Sequence, residues 1–116
     1  MKKLNLDSLV RIYDNGGRSF DRYTAVYMNL PERDGLFEAR GMSKHPFSPQ
    51  GFGCSCSAMP GRHLGKRIKL EELPKDCQKL VLEDIREERR YVEGLVANCE
   101  PICDQIFQID ELLKGL

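Results

Sequence analysis

The apolar residues of this chain change period near residue 70, and that change constrains the fold more than any other feature. Before it, apolar and polar residues alternate in short runs. Leu9 to Tyr13, Arg22 to Leu30 and Leu36 to Met42 carry residue types that suit a pleated, half-buried surface. After it, Cys77, Leu80, Val81, Ile85, Val92, Leu95, Val96 and Cys99 recur at three- and four-residue intervals, as on one stripe of a helix. Strands first and helices afterwards predict an α+β domain. Its antiparallel sheet of three to five strands would be followed by two C-terminal helices packed on one face.

A length of 116 residues suits one core, so residues 1–116 are expected to form a single domain. Its β-rich part spans residues 8–70 and its helical part residues 74–116. Within the first, Asp14-Asn15-Gly16-Gly17 supplies a turn, and Pro31 with Asp34-Gly35 closes the second strand. Phe37, Ala39 and Gly41 fall on one face of the third strand, with Leu36, Glu38, Arg40 and Met42 on the other. Prolines and glycines make residues 43–65 a long irregular loop, through which a short strand at 52–57 would still fit. Such loops often carry function. A further strand is expected over 64–70.

Pro74 at a first helical turn sacrifices no hydrogen bond, so a helix of about six turns should start there. Pro101 then breaks it or starts another, whose stripe is Ile102, Ile106, Ile109, Leu113 and Leu116. The predicted core draws on Val10, Ile12, Val26, Met28, Phe37, Ile68, Leu80, Val81, Ile85 and Val96. The C-terminal stripe would pack on the sheet, or alternatively form a homodimer through the two helices.

Composition excludes several classes. The sequence has 41% hydrophobic and 31% charged residues, the balance of a folding, non-fibrous domain. No run of about 18 apolar residues could cross a membrane as a helix. The N-terminus reaches Asp7 and Arg11 before a signal-like apolar run develops, which makes the cytoplasm the expected location. Five cysteines, an odd number, read as reduced thiols rather than a disulfide framework. The net charge of zero conceals a division. Residues 1–70 hold twelve Lys and Arg against six Asp and Glu, and residues 71–116 hold the reverse. Pairing of a basic sheet with acidic helices would produce those numbers, as would a nucleic-acid-facing half.

Chemical motifs are sparse. Cys54-x-Cys56 lies near His63, with His45 and Cys77 further away, but structural zinc sites use pairs two to four residues apart. No metal or cofactor is therefore expected. A cysteine-based triad can be drawn from the same residues with Asp14 or Asp21, as on many unrelated chains. Neither a nucleophile elbow nor a Walker-type phosphate loop is present. Arg62, Lys66, Arg67 and Lys69 form the strongest basic cluster and would serve phosphate contacts.

Three segments stand out as words: Tyr-Asp-Asn-Gly-Gly-Arg-Ser-Phe-Asp-Arg-Tyr-Thr (13–24), Pro-Phe-Ser-Pro-Gln-Gly-Phe-Gly (46–53) and Leu-Gly-Lys-Arg-Ile-Lys-Leu-Glu-Glu-Leu-Pro-Lys-Asp-Cys-Gln-Lys-Leu-Val (64–81). Together they resemble a family of small, mostly uncharacterised proteins encoded in bacteria, bacteriophages and plasmids, over roughly two thirds of the chain. The resemblance implies no activity. The part beyond about residue 90 departs from it and is expected to be a contact surface particular to this chain.

Asp14, Asn15, Gly16 and Gly17 with Asp21, Arg22 and Tyr23 form the most distinctive polar cluster of these words. Turn architecture alone would explain them, with Asp21 and Arg22 pairing locally. If the turn folds against Pro49, Gln50, Gly51 and Phe52, the two words make one surface. Carboxylate, guanidinium, amide and aromatic groups together suit a small polar ligand or a protein loop. The expected function is a non-enzymatic binding or regulatory protein of mobile-element type that contacts another protein, in one form as an inhibitor of a host protein. The alternatives are a nucleic-acid-binding accessory protein using residues 62–69 and a small zinc- or cysteine-dependent enzyme.

Overall fold

Val10, Ile12, Tyr23, Ala25, Tyr27 and Met42 are all buried on one side of an antiparallel sheet, as strand alternation requires. The structure, a computed structural model, describes residues 6–28, 30, 32–51, 53–95 and 108–116. The fold is α+β. One helical turn, α1 (Leu6–Leu9), leads into β1 (Val10–Asp14), followed by β2 (Tyr23–Tyr27), β3 (Phe37–Met42) and β4 (Gly53–Ala58). A 3₁₀ turn (Arg62–Leu64), β5 (Lys66–Ile68), a second 3₁₀ turn (Leu70–Glu72) and the long helix α2 (Lys75–Leu95) complete the series, and residues 108–114 are again helical.

The sheet order is β4-β3-β2-β1-β5, with every neighbouring pair antiparallel. Two pairings set the site: Tyr23 lies opposite Asp14 on one side and opposite Met42 on the other. The ends of β1, β2 and β3 are thus level, and the loops leaving them emerge side by side.

Sequence order and burial explain where α2 starts. The Pro74 carbonyl accepts the first helical bond from the Gln78 N–H at 3.0 Å. Gln78 Nε2 donates back to the Leu73 carbonyl at 2.8 Å, and Asp76 lies in the first turn, where a carboxylate complements the helix dipole. Cys77, Val81, Leu82 and Ile85 belong to the same apolar cluster as Val10, Ile12, Tyr23, Ala25, Tyr27 and Met42, and so does Ile109. Each such aliphatic side chain contributes about 1.5–3 kcal/mol on full burial. Tyr13, Val26 and Ala39 form a smaller cluster on the opposite face, with Met28, Phe37, Ala58 and Leu64 packed against it.

A polar network crosses the main core. Arg40 Nε and Nη2 donate to the Asp84 carboxylate at 2.8 and 2.7 Å, and the Tyr27 hydroxyl donates to Asp84 Oδ2. Burial, then the neighbouring Asp84 charge, pushes the Tyr27 phenol far above its ordinary value. This joins β2 and β3 to the middle of α2. It is also a bond between the basic and acidic halves. The other ion pairs of the described residues, Arg22–Asp14, Arg86–Asp110 and Lys114–Glu111, each stay within one half. Arg86 Nε lies 2.9 Å from Asp110 Oδ1 without hydrogen-bond alignment, a charge contact between α2 and 108–114.

β4 crosses the Pro- and Gly-rich region as a full six-residue strand, whereas the strand expected over 64–70 is cut to Lys66–Ile68, because 3₁₀ turns at Arg62–Leu64 and Leu70–Glu72 close on it from both sides. Of the predicted core, Val10, Ile12, Val26, Val81 and Ile85 are buried, while Met28, Phe37, Ile68 and Leu80 are half-buried. Val96 lies outside the described residues, as do Pro31, Pro101, Ile102 and Ile106. Ile109 is fully buried in this chain's own core, Leu113 packs beside it and Leu116 is exposed.

Candidate binding cleft

Asp14 ends β1 and Tyr23 begins β2, so residues 15–22 form the connecting loop rather than a two-residue turn. The side chains at its start fold the backbone locally. The Asp14 carboxylate accepts the Gly16 N–H at 2.8 Å, and Asn15 Oδ1 accepts those of Gly17 and Arg18 at 2.8 and 3.0 Å. The loop then turns through left-handed backbone at Gly16 and Gly17, with φ of +76° and +91°, which glycine adopts without strain. The loop closes where the Asn15 N–H donates to the Arg22 carbonyl at 3.0 Å and Asn15 Nδ2 donates to Ser19 Oγ at 2.8 Å.

Arg22 reaches back across this loop to Asp14, with Nε and Nη2 at 2.8 and 3.1 Å from the two carboxylate oxygens. The local pairing expected of Asp21 with Arg22 is replaced by this bond, because antiparallel register sets residue 22 beside residue 14's end of β1. The Arg22 guanidinium first, with the Gly16 N–H and the Lys44 charge adding to it, holds the Asp14 carboxyl below its ordinary value. Arg22 is correspondingly raised by Asp14.

The chain leaving β3 builds the second wall. The Gly51 N–H donates to the Ser48 carbonyl at 2.8 Å and the Ser48 N–H to the His45 carbonyl at 3.2 Å, winding 45–51 into consecutive turns. Gly51 sits so near the chain that a Cβ there would come within 1.6 Å of the His45 carbonyl oxygen. This wall is tied to α2: the Cys77 thiol donates to the Ser43 carbonyl at 3.1 Å, and Lys79 Nζ lies 5.6 Å from the Phe47 ring centre. Burial pushes the Cys77 thiol up to about 11, so it is a protonated core group.

Between the walls is an open cleft of about 670 Å³. Gly17, Arg18, Ser19, Phe20 and Arg22 line one side, and Ser43, Lys44, His45, Ser48, Gln50 and Gly51 line the other. Its described lining includes no carboxylate. Arg22 is neutralised by Asp14, but Arg18 and Lys44 form no ion pair among the described residues. Arg18 is held at the rim by a 3.2 Å bond from its Nε to the Asn15 carbonyl. The cleft therefore combines positive charge, hydroxyl groups and the exposed ring of Phe20.

Of the predicted site residues, Gly17, Arg22, Gln50 and Gly51 meet in this cleft. Asp14, Asn15 and Gly16 support it from behind, and neither Asp21 nor Pro49 lines it. Tyr23 does not belong to that surface. Its side chain is buried among core residues, because position 23 falls on the same side of β2 as Ala25 and Tyr27. Phe52 lies outside the described residues. Sequence reasoning did not place Arg18, Ser19, Phe20, Ser43 or Lys44 in the binding surface, and weighed His45 only as a metal-ligand or triad candidate. The β2–β3 register carried the signal, since extending the Tyr23–Met42 pair by one residue puts Arg22 beside Ser43.

The other candidates lie apart. Arg62, Lys66, Arg67 and Lys69 are all exposed, but Lys66 pairs with Asp14 and Arg67 with Tyr13, so their side chains leave opposite faces of β5. Cys54 and Cys56 are exposed free thiols on β4, on the face of Ala39, whereas Cys77 is in the core on the other face. Partial burial pushes the Cys56 thiol above its ordinary value. No three His, Cys, Asp or Glu side chains converge as a metal site among the described residues. No helix among them is long and apolar enough to cross a membrane. Comparison with protein-family models, curated proteins and solved structures yields no match.

Proposed function

We propose that this chain is a non-enzymatic binding protein of mobile-element type that contacts a partner protein through the cleft between residues 17–22 and 43–51. The observation that carries the reading is the cleft's lining: Arg18 and Lys44, which form no ion pair among the described residues, beside the hydroxyls of Ser19, Ser43 and Ser48. Charge-assisted bonds to a carboxylate are stronger than neutral ones and shorter. An acidic loop or chain end of the partner, with an apolar side chain against Phe20, suits this lining. Inhibition of a host protein is the role such a contact would serve. The walls are braced by Asp14–Arg22 and by Cys77, which limits the ordering that binding must impose.

Affinity capture from a nuclease-treated lysate of the bacterial host tests this reading. The wild-type chain should retain a specific protein, and Arg18→Glu with Lys44→Glu should release it while far-UV circular dichroism stays unchanged. Equal capture by both chains would reject the cleft as the contact. In a separate assay with purified DNA or RNA, salt-sensitive binding weakened by reversing Lys66 and Arg67 would favour a nucleic-acid role instead.

A further inference from the structure

The two edges of the sheet are built differently. β5 is three residues long, carries Lys66 and Arg67, and runs between two 3₁₀ turns. Those are ordinary devices for keeping an edge from pairing with another chain. β4 has none of them. Gly-Cys-Ser-Cys-Ser-Ala (53–58) is uncharged, contains no proline and pairs one-to-one with β3 over six residues without a bulge. Residues 53–57 are exposed, and no backbone bond among the described residues reaches β4 from a strand other than β3.

We propose that β4 pairs antiparallel with β4 of a second copy of this chain, about a two-fold axis at Ser55, continuing the sheet from one protomer into the other. The sequence of the strand selects that occupant. About Ser55, Cys54 of one copy falls opposite Cys56 of the other, twice, and Gly53 falls opposite Ser57. No charge meets a like charge, and every opposed side chain is small. One strand back on β3, Glu38 lies opposite Ser57 and Arg40 lies opposite Ser55, where Arg40 is held by Asp84.

Cysteine geometry gives the pairing a chemical signature. Within one copy, Cys54 and Cys56 are two residues apart on an extended strand, about 6.6 Å between Cα atoms, with parallel side chains that cannot reach each other. Opposed residues of an antiparallel pair are about 4.5–5.5 Å apart, inside the range that a disulfide spans. Diamide added to the dimer should therefore link it covalently. Each bond joins a thiol of one copy to a thiol of the other, and the two protons and two electrons released reduce diamide to its hydrazine.

Two measurements test the register. Cys54→Ser and Cys56→Ser chains, treated separately with diamide in mildly alkaline buffer, should give no dimer linked through the tryptic peptide 45–62. A mixture of the two should give the mixed dimer, because Cys56 of the first meets Cys54 of the second. Sedimentation under reducing conditions should show a wild-type dimer, with Ser55→Lys dimerising roughly fivefold more weakly or worse from like charges at the axis. A monomer at all concentrations, self-linking of either single variant through that peptide, or an unweakened Ser55→Lys dimer would each overturn the pairing.

Discussion

Removing the Asp84 carboxylate should be among the most damaging changes available in this fold, although Asp84 is a polar residue on a helix. Asp84→Ala strands two groups at once, the Arg40 guanidinium and the Tyr27 hydroxyl, both of which now point at one carboxylate. The Arg40 and Asp84 side chains are 21% and 16% exposed, so the pair lies nearer the buried limit than the surface one. Breaking a buried pair costs about 3–5 kcal/mol, and an exposed one is worth at most about 1 kcal/mol. A loss of about 3 kcal/mol is expected, which at a urea m-value of about 2 kcal/mol/M lowers the midpoint by about 1.5 M. Replacing the whole network with apolar groups, as Tyr27→Phe, Arg40→Met and Asp84→Leu together, should cost far less, about 1 kcal/mol. Urea titrations followed by circular dichroism separate the two cases. A loss below about 1 kcal/mol for Asp84→Ala, or a triple variant as damaged as the single one, would show that the network is not held as a buried pair.

Three further outcomes follow from the same structure. Cys77 has its thiol raised from 9.0 to about 11, so the folded state keeps a proton that the unfolded chain releases. Its stabilisation is complete below pH 9 and falls by about 2–3 kcal/mol as pH rises toward 11, a slope that Cys77→Val should remove, leaving the part due to Cys56, Tyr27 and Tyr23. Asp14 has the opposite sign: its depressed carboxyl stabilises above its ordinary value of 3.8, and that support is lost as pH falls through the folded value. Acid unfolding of Asp14→Asn should therefore begin from a less stable protein and show a shallower limb. Gly51→Ala should force residues 45–51 open, since its Cβ meets backbone at 1.6 Å, at a cost of about 1–3 kcal/mol. Amide shifts across 43–51 read that opening, and unchanged shifts there would show that the close approach is dispensable.

The strands and α2 were legible because their side chains obey two simple periods. Val10, Ile12, Val81 and Ile85 all fall where alternation and the helical stripe place them. Tyr23 and Tyr27 were harder, since a tyrosine suits a core and a binding surface equally, and only the register of β2 decides. The cleft was half legible. Gly17, Arg22, Gln50 and Gly51 belong to distinctive words, but Lys44 and His45 have no local signal and enter the site only because β2 and β3 end level. The Asp84 bond to Arg40 and Tyr27 spans 44 and 57 residues, a distance that no local pattern reports.

The most direct test of the cleft is hydrogen–deuterium exchange on the chain alone and with its captured partner. Slowed exchange is expected in residues 15–22 and 43–51, with little change over 62–69. Protection confined to 62–69, or equal protection with the Arg18→Glu, Lys44→Glu chain, would contradict it.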